Sequence, residues 1–321
     1  MNLLRFPLVV LIEVFKNMDF REKFLFSLMS KRARNILELT SMSTHFSFDF
    51  TKDLLIHTGT YTSGSRPEMT VEASDYLIGG KVIRLSLHSD GVILQDKTPQ
   101  NQSLLTDYLL DIFRKQSISV AFFYPTQPAS ALEFMQMINE RKLFVESFSY
   151  FIMSPSSEFI PRILDECTEV TNSIYINAIF PDDFVYTPPR PFKVREFRVG
   201  LTSGWFNLES FMSCRRIIFE RGDYSYRAPQ SWNTFLRNWI DSDARLEYML
   251  CSHTVGSDFP QIVDGLRNEE IQEMSDDWID VKRRDGSEFV IGRSSTKDSF
   301  YIMTKEEHME CFKQDYKYLQ F

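Results

Sequence analysis

The chain has 321 residues, 43% apolar and 25% charged, with a formal net charge of −8 at pH 7. That balance supports an ordinary folded chain of about two domains and excludes a disordered one. It also argues against nucleic acid as the main ligand, which requires a basic face, and no apolar run approaches the roughly 18 residues of a spanning helix, so no membrane partner is expected.

The first 40 residues carry RFPLVVLIEVFKNMDFREKFLFSLMSKRARNILEL at positions 5–39. Pro7, Glu13 and Lys16 interrupt its apolar character, and no small-residue cleavage site follows. A signal peptide is therefore not expected, and the reading is a cytoplasmic or nuclear protein. Three short helices fit better. Pro7 suits a first helical position, where its missing N–H costs nothing, and Leu8 to Phe15 forms the first helix. Asn17-Met18-Asp19 is a turn, and Asp19 with Glu22 resembles a capping box. Phe20, Phe24 and Leu28 continue at helical spacing as far as Met29. Ser30 caps a third helix with Ala33, Ile36 and Leu37 on one side. On its other side Lys31, Arg32 and Arg34 read as a solvated basic face. So few residues cannot bury this much apolar surface alone, so the surplus must rest on the rest of the chain or on another protein.

Residues 41–75 are rich in Ser and Thr and read as a linker with a strand or two, such as Phe46–Phe50. KVIRLSLHSDGVILQD (81–96) alternates on both sides of Ser89-Asp90-Gly91, a hairpin signal. From 104 to 252, helical segments alternate with strand-like runs. The helices are 104–115, 130–141, 157–167, 205–212 and 231–239, the last capped by Ser231. The strands are 117–123, 147–153, 173–180, 195–201, 215–221 and 245–251. Their spacing of about 20–30 residues is that of leucine-rich-repeat units, which stack into a curved parallel sheet. A doubly wound sheet is the competing architecture. No glycine-rich βα turn follows any strand, which argues against dinucleotide binding. WIDVKR (278–283) and EFVIG (288–292) flank Asp285-Gly286 as a hairpin, SFYIM (299–303) adds a strand, and a polar helix from Lys305 can follow. The expected fold class is thus α/β (α+β overall). A small three-helix module over 1–42 and a linker over 43–80 precede a leucine-rich-repeat-like curved domain over 81–304 with β-hairpins at its ends. A tail covers 305–321.

Catalytic signatures are missing. The five histidines, 45, 57, 88, 253 and 308, form no HExxH and adjoin no nucleophile motif. His253 near Cys251 lacks the context of a reactive or metal-binding pair. Cys167, Cys214, Cys251 and Cys311 show no paired spacing and read as buried free thiols; no metal and no cofactor are expected. Glu269-Glu270 and Asp276-Asp277 read as solvated acids, and Trp205, Trp232, Trp239 and Trp278 as packing residues.

Two resemblances order these observations. Phe6-Pro7-Leu8, Val14-Phe15, Met18-Asp19, Phe24 to Leu28 and Ser30-Lys31-Arg32 resemble the F-box, with Phe6 where Leu is usual. The second lies in 204–250 and the 278–292 hairpin. There Trp205 before Leu208, Cys214, Phe235-Leu236 before Trp239-Ile240, Arg245-Leu246 and Asp285-Gly286 resemble the type-2 F-box-associated domain of a nematode-expanded family. Together they imply the substrate-recognition subunit of a Skp–cullin–F-box ubiquitin ligase, itself non-catalytic. Its front helices would bind a Skp-type adaptor, and through it a cullin, using Pro7, Leu8, Leu11, Ile12, Val14, Phe15, Phe24 and Leu28. Some of these eight must instead hold the helices together. A target protein would meet alternate strand residues Ser149, Tyr175, Asn177, Glu196, Arg198, Glu220 and Glu247. The rival reading is a non-ligase interaction scaffold whose front helices pack on its own body.

Overall fold

The computed structural model describes residues 6–40, 45–59, 72–95, 98–113, 117–152, 158–220, 228–252, 258–266, 277–296 and 298–318. The chain divides into two compact units, residues 1–152 and 153–321.

The first unit begins with α1 (Leu8–Lys16), α2 (Phe20–Met29) and α3 (Lys31–Thr40). The expected capping box is present. The Glu22 amide donates to Asp19 Oδ1 at 2.7 Å, and the Asp19 amide donates to Glu22 Oε2 at 3.0 Å. Ser30 Oγ accepts from the Ala33 amide at 3.1 Å, which opens α3.

Seven strands follow the helices: β1 (His45–Phe50), β2 (Leu54–Thr58), β3 (Ser74–Ile78), β4 (Lys81–Leu87), β5 (Gly91–Leu94), β6 (Ser117–Phe123) and β7 (Phe144–Phe151). Their order in the first unit is β7-β6-β1-β2-β5-β4-β3. β1, β6 and β7 run parallel, and the rest pair antiparallel. The stretch read as a linker thus supplies three strands, and β1 lies between β6 and β2. Its Phe46, Phe48 and Phe50 are buried on one face and form the middle of the core. Gly79-Gly80, with φ of 58° and 83°, close the β3–β4 hairpin in a conformation that side chains resist. The helices α4 (Pro99–Ile112) and α5 (Pro128–Glu140) each carry proline in the first turn. Both begin earlier than the apolar pattern suggests.

In the second unit α6 (Ile160–Glu166) precedes β8 (Ser173–Ala178), β9 (Glu196–Leu201), β10 (Arg216–Phe219), α7 (Pro229–Ile240) and β11 (Tyr248–Ser252). After a short turn of helix α8 (Phe259–Ile262) come β12 (Trp278–Lys282), β13 (Glu288–Arg293), β14 (Ser299–Thr304) and α9 (Lys305–Tyr318). The order is β12-β13-β14-β11-β10-β9-β8, with β8 to β11 parallel and in chain order, and β11 to β12 antiparallel. The parallel order does not reverse, so the doubly wound alternative is not what β8 to β11 form. Between β9 and β10 only residues 208–211 are helical, as one 3-10 turn, and not the whole of 205–212. Pro229 opens α7 with Ala228 as its cap, so Ser231 lies inside the first turn and is not the cap.

One face of β8–β11 is packed. Ile174, Ile176, Phe197, Val199, Ile217 and Met249 are fully buried beside an aromatic cluster in which the Phe206 and Phe211 rings stack at 3.8 Å. Trp205 Nε1 donates to the Thr202 carbonyl at 2.8 Å, and Trp239 Nε1 to the Leu246 carbonyl at 3.1 Å, so each buried indole is satisfied. Trp205, Trp232 and Trp239 are core residues, and Trp278 is half-buried. Cys167, Cys214 and Cys251 are buried thiols, but Cys311 is exposed on α9. The polar character of α9 leaves that side chain in solvent. Burial in apolar surroundings pushes the Cys214 thiol up to about 12 and Cys167 well above its usual value, so neither is a nucleophile.

Candidate functional site

Two surfaces hold the expected site residues, one in each unit. The first belongs to the front helices. α2 is fastened to the body of its unit. The Phe20 ring lies 6.2 Å from Phe46 and 6.0 Å from Phe113, and Phe24 lies 6.4 Å from Tyr76 and 5.9 Å from Tyr108. Ser27 Oγ and the Tyr108 hydroxyl are 2.9 Å apart, and the Arg34 guanidinium stands 4.6 Å from the centre of the same ring. The Phe20 amide donates to the Ser89 carbonyl at 2.8 Å. The module is therefore not a bead on a tether.

The eight residues expected at the adaptor surface separate accordingly. Leu11, Phe15 and Phe24 are buried inside the unit; Ile12, Val14 and Leu28 are half-buried; Pro7 and Leu8 are exposed. Leu8 is 48% exposed, and beside it Val9 is 72% and Val10 43% exposed. α2 adds Leu25 and Met29, and α3 adds Leu39, all exposed. These five neighbours were not legible in advance, because a helix apolar all round does not announce which side faces inward.

The second surface is the face of β8–β11 opposite the packed one. Cross-strand register brings Tyr175 opposite Arg198 and Glu196 opposite Arg216. Arg198 Nε donates to Glu196 Oε1 at 2.5 Å and its Nη1 to Glu220 Oε1 at 3.4 Å. The Tyr175 hydroxyl donates to Glu220 Oε2. Arg216 Nε is 3.3 Å from Glu196, its Nη1 is 3.6 Å from Glu307 of α9, and its guanidinium lies 3.9 Å from the centre of the Tyr248 ring. Burial lowers the pKa of Arg198, but the Glu196 hydrogen bond and the charges of Glu196 and Glu220 outweigh it and raise it overall. Burial and then the Glu220 hydrogen bond hold the Tyr175 phenol well above its usual value, so it is a fixed donor. Half-exposed pairs of this kind add little stability; they fix the pattern of donors and acceptors on this face.

Five of the expected target-facing residues, Tyr175, Asn177, Glu196, Arg198 and Glu220, meet here. Glu247 does not. It precedes β11, in phase with buried Met249, and lies 3.9 Å from Arg215. Ser149 lies on β7 of the first unit, half-buried opposite Ala121. Arg216 was missed although strict alternation from Glu220 finds it, and Tyr248 because alternation from Glu247 sets the opposite phase; Glu307 comes from a later helix that gives no such signal. At the ends of these strands Tyr175, Asn177, Gly200, Leu201, Glu220 and Ser252 line a pocket of about 370 Å³.

No cluster of three or more His, Cys, Asp or Glu side chains among the described residues has the arrangement of a metal site. Asp277 is paired with Arg293 at 2.6 Å, while His253, Glu269, Glu270 and Asp276 lie outside the described residues. No described helix is long and apolar enough to cross a membrane. Compared with known families, residues 3–41 match the F-box domain. No curated protein and no solved structure matches the chain.

Proposed function

We propose, starting from the F-box domain at residues 3–41, that this chain is the substrate-recognition subunit of a Skp–cullin–F-box ubiquitin ligase. F-box domains bind Skp-type adaptors in such ligases, and proteins that carry them are typically non-catalytic. The observation that carries the reading is the F-box match on a module that keeps Leu8, Val9 and Val10 exposed while Leu11 and Phe15 hold it together. The adaptor covers that exposed row, and a cullin joins through the adaptor.

The target docks on the open face of β8–β11. The charged ladder there supports this, because it presents fixed donors and acceptors on a half-exposed sheet while the opposite face is packed. The chain adds no chemistry of its own: it holds the target near a charged ubiquitin-conjugating enzyme and raises its effective concentration. Residues 81–304 are read as a leucine-rich-repeat-like F-box-associated domain of the nematode type-2 kind, with the residues that carry the resemblance lying in the second unit. Supporting this, Trp205, Leu208, Cys214, Phe235, Leu236, Trp239 and Leu246, which carry the resemblance, are all buried in one unit, and its parallel strands follow in chain order. A cytoplasmic or nuclear location follows from the ligase role.

Reconstitution tests the proposal. Mixed with a Skp-type adaptor and the N-terminal part of a cullin, the full chain is expected to elute as one stoichiometric complex. Arg198→Ala leaves that assembly intact. Failure to join the complex while the chain remains folded would overturn the ligase reading and favour the self-contained scaffold.

A further inference from the structure

The pocket at the ends of β8–β11 has more definition than the surface around it. Its floor is Gly200, where a Cβ would come within 2.5 Å of Asn177 Oδ1, so the absence of a side chain lets that amide oxygen stand in the pocket. Beside it Leu201 has φ of +57°, a left-handed conformation that side chains resist. Strain of that kind is retained where it positions a side chain. The lining then supplies acceptors on several sides: the Glu220 carboxylate, the Asn177 carbonyl oxygen and the Ser252 hydroxyl, with the Tyr175 ring as one wall. About 370 Å³ is at the small end of ligand sites and suits one side chain, not a large cofactor.

Among the described residues, the charges of the ladder do not cancel. Glu196, Glu220 and Glu307 share two guanidiniums, Arg198 and Arg216. Arg198 sits closer to Glu196, at 2.5 Å, than to Glu220, at 3.4 Å. The negative charge left over therefore lies partly on Glu220, at the pocket, and partly on Glu307, whose guanidinium contact is 3.6 Å.

We infer that this pocket receives an arginine side chain of the target protein, whose guanidinium sits between the Glu220 carboxylate and the Asn177 carbonyl oxygen. A planar guanidinium offers five donors in a fixed fork and can stack on an aromatic ring, which matches separated acceptors beside Tyr175; an ammonium is a compact point charge. The inference rests on the reading that the target docks on this face.

The test uses the full-length chain. Peptides are selected on it from a displayed random library and then measured by fluorescence polarisation against the wild type, Glu220→Gln and Arg198→Ala. Glu220→Gln keeps an oxygen for the Tyr175 hydroxyl, and its thermal midpoint confirms that it folds. The selected peptides are expected to contain an arginine. Replacing that arginine by citrulline, its uncharged isostere, is expected to weaken binding at least 10-fold on the wild type and less than 2-fold on Glu220→Gln. An equal citrulline effect on both proteins, or selected peptides without arginine, overturns the inference. If those peptides still lose affinity on Arg198→Ala, the face binds targets by other means and only the pocket assignment falls. If no selected peptide responds to either substitution, the reading of the face falls with it.

Discussion

Phe24 tests whether the front helices are built into the first unit. Its ring is fully buried between Phe20, Tyr76 and Tyr108, at 5.9–6.4 Å centre to centre. Phe24→Ala deletes that ring and leaves a cavity between α2, β3 and α4, where the neighbours come from three elements and cannot collapse together. Such substitutions cost about 3–5 kcal/mol, and 1.4 kcal/mol is a tenfold change in an equilibrium constant. Amides of α2, α4 and β3 should therefore exchange with solvent about 100-fold faster or more under native conditions, measured by hydrogen exchange with mass spectrometry. Exchange that rises in α2 alone, or by less than 10-fold, would refute the reasoning, because the helices would then be docked only weakly on the sheet.

Three further outcomes are expected. Asp19→Ala removes one half of the capping box and should lower stability by about 1 kcal/mol in urea unfolding; no measurable change would mean that the box adds nothing to α2. Arg283 is buried, and its Nη2 donates to the carbonyls of Ser242 at 2.7 Å and Ala244 at 2.8 Å beneath the Trp239 ring. Arg283→Lys should cost about 1–3 kcal/mol and shift the tryptophan-fluorescence unfolding curve, because the shorter lysine stem leaves its ammonium short of both carbonyls and loses the planar contact with the Trp239 ring; an unchanged midpoint would contradict this. Burial holds the His57 pKa below its usual value, with Asp90 opposing the shift and His45 adding to it. The unfolded chain then binds the extra proton first, so stability is complete above about pH 6.5 and falls as pH drops below it. His57→Leu should reduce the loss of stability below about pH 6.5 in denaturant titrations.

The sequence reading succeeds where the signal is local. The Asp19–Glu22 cap, the strands β6 and β8, and the hairpin around Asp285-Gly286 are each readable from a few neighbouring residues, and each is found. It fails where the partner is distant. LLIHT becomes β2 because it pairs with β1 on one side and β5 on the other, which no local pattern among Ser and Thr reveals. The early starts of α4, α5 and α7 were legible, because Pro99, Pro128 and Pro229 each suit the first helical turn; Pro7, expected at that position, instead precedes α1 as its extended cap. At the interaction surfaces, alternation gathers Tyr175, Asn177, Glu196, Arg198 and Glu220 on one face. It cannot show that Glu307 of α9 reaches Arg216, which depends on packing of a later helix. Nor can it separate Leu8 from Leu11, since both are large, apolar and on the same short helix, and only burial distinguishes a packing residue from a presenting one.

That distinction gives the most direct test of the central claim. Leu11 is 2% exposed, so Leu11→Asp would damage the module itself, whereas Leu8 and Val9 can be changed without disturbing its core. The measurement is the affinity of the full chain for a purified Skp-type adaptor by isothermal titration calorimetry, for the wild type, Leu8→Asp and Val9→Asp, with circular dichroism to confirm that each variant folds. The account predicts a tight complex for the wild type and a loss of at least 100-fold in the Leu8→Asp variant without a change in fold. No binding by the folded wild type, or equal binding by all three proteins, would contradict it.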